Sequence, residues 1–397
     1  MERLRLLAVL LAVGVVGVVV ALAPQESSQQ ALSPPSSIPS DCSRTVDAEL
    51  NEFFASVQEG ADVEFRSDAC YALRNPVRIE RKRSVRIDGN GATLRNSAPN
   101  DGRINSPNIM LIKARDVTIE NLNLVGNFNL TGPRSQEKVN QSSVEQPSNG
   151  TQFNSGLSIY GGRGVRIQDV TARNVFGDGL TTAVSEYVDN TPPFEAPRDI
   201  RVSRFRAIST ARHCFAPTSA IGFWLEDSLG QDCWYSGVDA ELDEVEHYLQ
   251  DVHLLRNTFD GFFSVGIAFP VAGSGDNTRD YEIRDNDLRT IPDASPCNPV
   301  ILINAYPESN PNTTKNVVIE GNSVKAWGSA IVVDHVDGGS IRENKIERSP
   351  PAGTTSEMQC SPSGAEPVRV TNSSGVEVAA NQCCRPQPTA APSRLGG

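Results

Sequence analysis

Four side chains in the middle of this 397-residue chain could move protons: Asp178, His213, Asp239 and Glu241. Asp178 sits in a Gly-Asp-Gly triplet, His213 follows Arg212, and Asp239 and Glu241 lie shortly after the aromatic pair Trp234-Tyr235. An imidazole close to a carboxylate has a linked pKa, and either group can then serve as acid or base. Two carboxylates across a glycosidic bond can hydrolyse it, and Asp178 with Asp239 or Glu241 would serve. Elimination beside a uronate carboxylate instead needs a base and a neutralising cation or arginine, for which Arg212, His213 and a calcium ion would serve. Asp239, Glu241 and Asp243 are the oxygen ligands offered to calcium, which prefers carboxylates. Trp234 and Tyr235 are the rings expected to stack on sugar faces. Each residue also has a plain structural reading. Asp178 satisfies backbone groups at a turn, His213 packs at a corner beside Cys214, and 239–246 is a solvated acidic loop. His247, His253 and His335 stand alone and are read as structural.

These residues are far apart in sequence, so a repeating scaffold must bring them together. One helix comes first: Leu50, Phe53, Phe54 and Val57 recur at helical spacing, and Gly60 stops the pattern. The predicted helix covers 46–58. After it the apolar period changes from 3.6 to 2, and short strands alternate with Asn, Gly and Asp. Aligning the strands gives one column that reads Ile87, Ile119, Ile167, Val202, Leu225, Leu254, Ile283, Ile319, Ile341 and Val378. The column two residues earlier is apolar except at Gly339. The turn column holds Asn90, Asn257, Asn286, Asn322, Asn344 and Asn381. Alternating apolar residues that stack coil on coil describe an all-β, right-handed parallel β-helix solenoid of about ten coils. Asn tolerates the left-handed backbone of a sharp corner, and stacked Asn side chains can form a ladder. The helix is expected to cap the first coil, and the Cys-rich segment 360–384 to close the last.

The same alignment places the proton-moving residues. Eight residues past the turn column lie Asp178, His213 and Ser236 on successive coils, and Ser155 falls in the same place after a loop insertion. Three places further on come Thr181, Ala216 and Asp239, with Glu241 two residues beyond on the same face. Coils stack about 4.8 Å apart, so one strip of surface carries all four candidates. The polar insertion 127–154 forms a wall beside it.

Composition narrows the partners. The net charge of −12 argues against nucleic acid, which needs a basic face, and a polyanionic substrate would require a locally basic groove or a bridging cation. Arg3 and Arg5 precede an apolar run from Leu6 to Ala23. That run is either a cleaved signal peptide or a retained anchor, and both outcomes export the bulk of the chain. Eight cysteines fit an oxidising compartment, with Cys42–Cys70 and Cys214–Cys233 as pairs suggested by proximity. No pair of cysteines stands beside histidines at zinc spacing. The expected organisation is an export segment 1–23, a Pro/Ser/Gln linker 24–41, the β-helix 42–384 and a loose tail 385–397.

The capping helix, the run Ile-Asp-Gly-Asn-Gly-Ala-Thr-Leu at 87–94 and the Val-x-Ile-x-x-Asn coil resemble the pectate-lyase-like superfamily of β-helix proteins over residues 45–384. That superfamily contains polysaccharide lyases, polygalacturonase-type hydrolases, uronan epimerases, esterases, phage depolymerases and non-catalytic adhesins. Gly-Asp-Gly-Leu at 177–180, Arg-His-Cys-Phe at 212–215 and 235–242 look like a branch carrying D-G-I and G-I-D-x-E-P on successive coils, with Leu242 in place of the final proline. The segment with Tyr235, Gly237 and Asp239 is similar to the Y-G-x-D-P-H of mannuronan epimerases, with Ser236 inserted and Ala240-Glu241 replacing Pro-His. The paired-Asp, His-Gly and Arg-Ile-Lys motifs of polygalacturonases are not found. Val-Asp-His at 333–335 is similar to the W-I-D-H of pectate lyases, without the accompanying arginine motif. The resemblance implies an exported carbohydrate-active protein that cleaves or modifies a uronate-containing polysaccharide. The alternative is a non-catalytic glycan-binding or structural surface β-helix.

Overall fold

The computed structural model describes residues 31–97, 106–128, 154–242, 247–271, 277–290, 298–305, 314–326, 328–348 and 366–383. Each coil passes through three short strands, for example Leu157–Tyr160, Arg166–Gln168 and Thr171–Arg173. Equivalent strands pair in parallel, giving sheets of ten, eleven and twelve strands among the described residues, visited in that order within a coil. This is the right-handed parallel β-helix that the alternating pattern predicted.

The aligned column holds throughout. From Ile87 to Val378 all ten residues are direct register partners on successive strands of the eleven-stranded sheet. Nine are buried, and Val378 on the last coil is 49% exposed because nothing described stacks above it. Gly339, the one break in the neighbouring column, has a physical reason: its φ is +132°, and a Cβ there would sit 2.0 Å from the Val317 carbonyl oxygen. Burying an aliphatic side chain contributes about 1.5–3 kcal/mol, and the coils repeat this gain along one continuous core.

Of the two jobs expected of the asparagines, the structure shows the ladder and moves the left-handed corner one residue earlier. At the corner from the eleven- to the twelve-stranded sheet, the left-handed backbone falls on the residue before the column: Arg256, Asp285, Gly321, Glu343 and Ala380. The asparagines themselves point inward. Asn257 donates from its backbone N–H (2.9 Å) and its Nδ2 (3.0 Å) to the Oδ1 of Asn286, and Asn286, Asn322 and Asn344 repeat this toward Asn381. Each Nδ2 also reaches a main-chain carbonyl, such as Leu254 O at 2.8 Å from Asn286. Asn90 stands apart, with a φ of 48° and a contact to Glu64.

The helix runs over Asp47–Ser56, shorter than 46–58 because Val57 is already extended. It seals the first coil with Leu50 and Phe54 in the core. Asp47 accepts from the Arg74 N–H at 3.0 Å and from Asn75 Nδ2 at 2.7 Å. Residues 31–41 are folded, which corrects the linker expectation for this stretch. Leu32 bridges in parallel to Val63, and Ile38 is buried while its carbonyl accepts from Arg66 at 2.6 Å. Both expected disulfides, Cys42–Cys70 and Cys214–Cys233, are formed. Residues 1–30, 360–365 and 384–397 lie outside the described residues. Among those described, no helix is long and apolar enough to cross a membrane.

Candidate functional site

A constant offset of eight residues from the turn stacks the expected column at the corner from the twelve- to the ten-stranded sheet. The Gly156 N–H donates to Asp178 O, Gly179 N–H to His213 O, and Cys214 N–H to Ser236 O. Ser155, Asp178, His213 and Ser236 are therefore true neighbours along the axis. In the ten-stranded sheet Thr181 pairs with Ala216, and Phe215 with Val238, which puts Asp239 one step above Ala216.

Asp178 is 1% exposed. Its Oδ1 accepts from the His213 backbone N–H at 3.1 Å, and its Oδ2 accepts from Thr181 Oγ1 at 3.0 Å and Arg212 Nη1 at 3.5 Å. The Thr181 hydroxyl also meets Ser155 Oγ at 2.9 Å. The Asp178 carboxylate thus fixes the backbone that carries His213 and the guanidinium beside it.

The His213 ring turns away from Asp178. Its Nε2 lies 3.0 Å from Asp239 Oδ2, two coils beyond Asp178. Burial, with the Arg212 charge adding, holds the imidazole well below its usual range, so the ring is neutral. A neutral ring with its proton on Nε2, the nitrogen facing the carboxylate, keeps its lone pair on Nδ1. His213 Nδ1 is buried with no hydrogen-bond partner among the described residues, as is Arg212 Nε. Tyr71 Oη and Tyr281 Oη elsewhere in the barrel are unmatched too, so what sets this place apart is that two such atoms stand side by side with carboxylates at one corner.

Tyr235 stands edge-on to the His213 ring, with centroids 5.2 Å apart. Burial raises its hydroxyl above the usual range; the charges of Asp239 and Glu241 add to this, and Arg212 opposes it. Both carboxylates therefore act on the same hydroxyl. Glu241 is exposed, and two residues of extended chain place its Cα about 7 Å from that of Asp239. Trp234 is a correction. It is 5% exposed, and it packs edge-on against Phe128 at 5.6 Å in a cluster with Ala211 and Phe263. At this corner the apolar rings bury one another outside the barrel, so Trp234 supports the wall of the site and offers no face to a ligand.

The remaining expected ligands and histidines can also be placed. Asp243 lies outside the described residues, and among those described no three acidic, imidazole or thiol side chains converge as a metal would require. Asp239 and Glu241 alone do not make a calcium cage. His253 is not isolated: it stacks on Trp224 at 5.0 Å and meets Glu282 at 2.6 Å and Asp251 at 2.8 Å. His335 contacts Asp334 at 3.0 Å, and His247 is buried beside Tyr187.

Toward the N-terminal end the outer face of the ten-stranded sheet is covered. Val188 packs on Met110, Ile112, Tyr160 and Ala183, and Asp189 binds Lys113 Nζ at 2.9 Å and Arg81 Nη2 at 2.7 Å. The hydrogen bond from Lys113, with the Arg81 charge in support, brings the Asp189 carboxyl down to about 2. Sequence reasoning missed this strap, because one valine and one aspartate in a polar excursion carry no periodic signal.

No protein-family profile matches the sequence, and none of the curated proteins does. Solved structures are similar in fold. A surface adhesin of Streptococcus pneumoniae, PfbA, superposes with a TM-score of 0.57 at 12% identity, covering 89% of this chain and 90% of that one. An endo-xylogalacturonan hydrolase from Aspergillus tubingensis gives 0.51 at 11% identity, covering 90% and 96%. The Dettilon tailspike protein gives 0.52 at 10% identity, covering 89% of this chain and 62% of the tailspike. At these identities the likeness establishes the fold, a right-handed parallel β-helix, and no more.

Proposed function

We propose that this chain is an exported, carbohydrate-active β-helix protein that hydrolyses an extended uronate-containing polysaccharide lying along the ten-stranded sheet. One observation carries the reading: the buried neutral imidazole of His213 holds the Asp239 carboxylate at 3.0 Å. Asp239, ordered by His213, and Glu241, two residues along the same face, supply the two carboxylates that hydrolysis of a glycosidic bond requires. Asp239 and Glu241 act as the base and acid pair. Arg212 neutralises a substrate carboxylate, and Tyr235 lies beside the reacting atoms. Asp178 and His213 are positioning residues. The two disulfides fit export to an oxidising compartment, and an endo-xylogalacturonan hydrolase among the fold neighbours fits a glycan partner.

A second reading is non-catalytic glycan binding, and the Asp178 carboxylate favours it. That group is buried and satisfied by donors of its own chain, as a purely structural aspartate would be. The fold likeness to a surface adhesin is in line with it.

The test is a turnover screen of the purified chain against pectate, alginate and other uronans, with calcium or with chelator. Reducing ends and the absorbance of unsaturated ends are followed together. The expected result is reducing ends alone, lost in Asp239→Asn and lowered in Asp178→Asn. Unsaturated ends would make the protein a lyase. No product on any polymer, with no epimerised residue by NMR, would leave glycan binding as the function.

A further inference from the structure

The sequence pattern required a basic groove for any polyanionic partner, and the fold supplies a basic stripe at a corner where none was expected. Between the ten- and eleven-stranded sheets, Arg83, Arg115, Arg163 and Arg198 are bridged to one another in parallel on four successive coils. Their register is pinned by the backbone. The Arg163 N–H donates to Ala114 O at 2.9 Å, and the Arg198 N–H to Gly162 O at 2.9 Å. The column ends at the next coil, where Ile221 is the register partner of Arg198. One strand step is about 4.8 Å, so the four cations form a row of about 14 Å along the axis.

Like charges directly stacked repel, and most of this row is not compensated. Arg115 pairs with Glu195 at 3.3 Å. Arg83, Arg163 and Arg198 are exposed and have no side-chain partner among the described residues. Arg166, three residues after Arg163 on the same coil, is likewise exposed and unpaired. The nearby acids are Asp116, at the bend after Arg115, and Asp199, which is taken by Arg201 at 3.3 Å. Arg201 in turn lies 4.4 Å over the Trp224 ring. In a chain of net charge −12, four aligned arginines at one corner are a local reversal of sign. A fixed spacing of one strand step is close to the advance of one sugar ring along an extended polysaccharide. Guanidinium groups also match carboxylates as paired donors.

We infer that Arg83, Arg115, Arg163 and Arg198 form a binding ridge for a linear polysaccharide carrying a carboxylate on successive sugars. The ridge lies across the ten-stranded sheet from the Asp239 site and does not depend on catalysis there. It holds a long uronan by charge, residue against residue, and a neutral glycan gains nothing from it. Salt weakens the attraction, because binding releases the counterions of the polymer.

The test is calorimetric titration of the full chain with polygalacturonate, alginate, dextran and double-stranded DNA at several salt concentrations. The variant replaces Arg83→Gln, Arg163→Gln and Arg198→Gln together, since none of these side chains supports the fold through a partner. The expected result is uronan binding that weakens with salt, at least tenfold weaker in the triple variant and with a flatter salt dependence, at an unchanged thermal midpoint. Asp239→Asn should bind uronan as the natural chain does, which separates the ridge from the proposed active site. Equal uronan binding by the natural chain and the triple variant would overturn the inference. So would dextran binding as strong as uronan binding, or DNA binding as tight as uronan at matched charge.

Discussion

At the corner between the eleven- and twelve-stranded sheets, Asn286, Asn322 and Asn344 place every amide atom in a hydrogen bond with a neighbouring coil. Eight residues further along the middle coils, His213 is just as enclosed but leaves Nδ1 unmatched, and the half-buried Arg212 beside it leaves Nε unmatched. Both regions bury polar groups in the same kind of scaffold. The ladder repeats one residue type at one position, so each coil supplies what its neighbour lacks. The strip changes residue at every step, from Asp178 to His213 to Ser236, and repetition cannot satisfy it. A solenoid able to build the first has no structural need of the second, which is why the strip is read as the site.

That contrast can be broken by mutation. Asn286→Ala removes the acceptor of Asn257 and the donors to Leu254 O and Asn322, and each buried unmet group costs about 1–3 kcal/mol. The expected loss is about 3 kcal/mol or more by guanidinium unfolding; a loss below about 1 kcal/mol would show the ladder to be incidental. The strip should respond to pH instead. The folded His213 pKa lies below its unfolded value near 6.5, so below that pH the unfolded chain binds the extra proton. Stability is whole above about pH 6.5 and falls as pH drops toward the folded pKa, by at most about 1.4 kcal/mol per pH unit. Unfolding midpoints of the natural chain and His213→Gln across this window should converge as pH falls, and parallel curves would contradict the buried neutral ring. The smallest effect on stability is expected for Glu241→Gln, within about 0.5 kcal/mol at an exposed side chain. Its reducing-end release should nonetheless fall, and unchanged release would remove Glu241 from the proposed pair.

The scaffold was legible because its signal is periodic. The Ile87 to Val378 column needs only the alternation of apolar residues, and counting eight residues from the turn found Asp178, His213 and Ser236 because the stretch from turn to strip has one length on those coils, the insertions falling elsewhere. Side-chain direction was not legible. That His213 turns its ring to Asp239, giving Asp178 only its backbone N–H, depends on rotamers. The burial of Trp234 depends on Phe128 and Phe263 from other coils, where no period connects them. Leu32 and Ile38 dock residues 31–41 with too few apolar residues to form a pattern. The arginine row is legible in the same alignment, since Arg83, Arg115, Arg163 and Arg198 each lie four residues before the aliphatic column at Ile87, Ile119, Ile167 and Val202, but it sits at a corner where no apolar alternation points to it.

The asparagine column has a direction. From Ser228, whose N–H donates to Asn257 Oδ1 at 3.0 Å, each rung gives to the next, up to Asn381. The amide dipoles therefore add head to tail along the axis, as peptide dipoles do in an α-helix, and each bond polarises the one after it. The C-terminal half of the solenoid carries an internal electrical polarity at right angles to its strands. The rungs behave as one cooperative wire, and weakening any of them loosens the grip of those on either side.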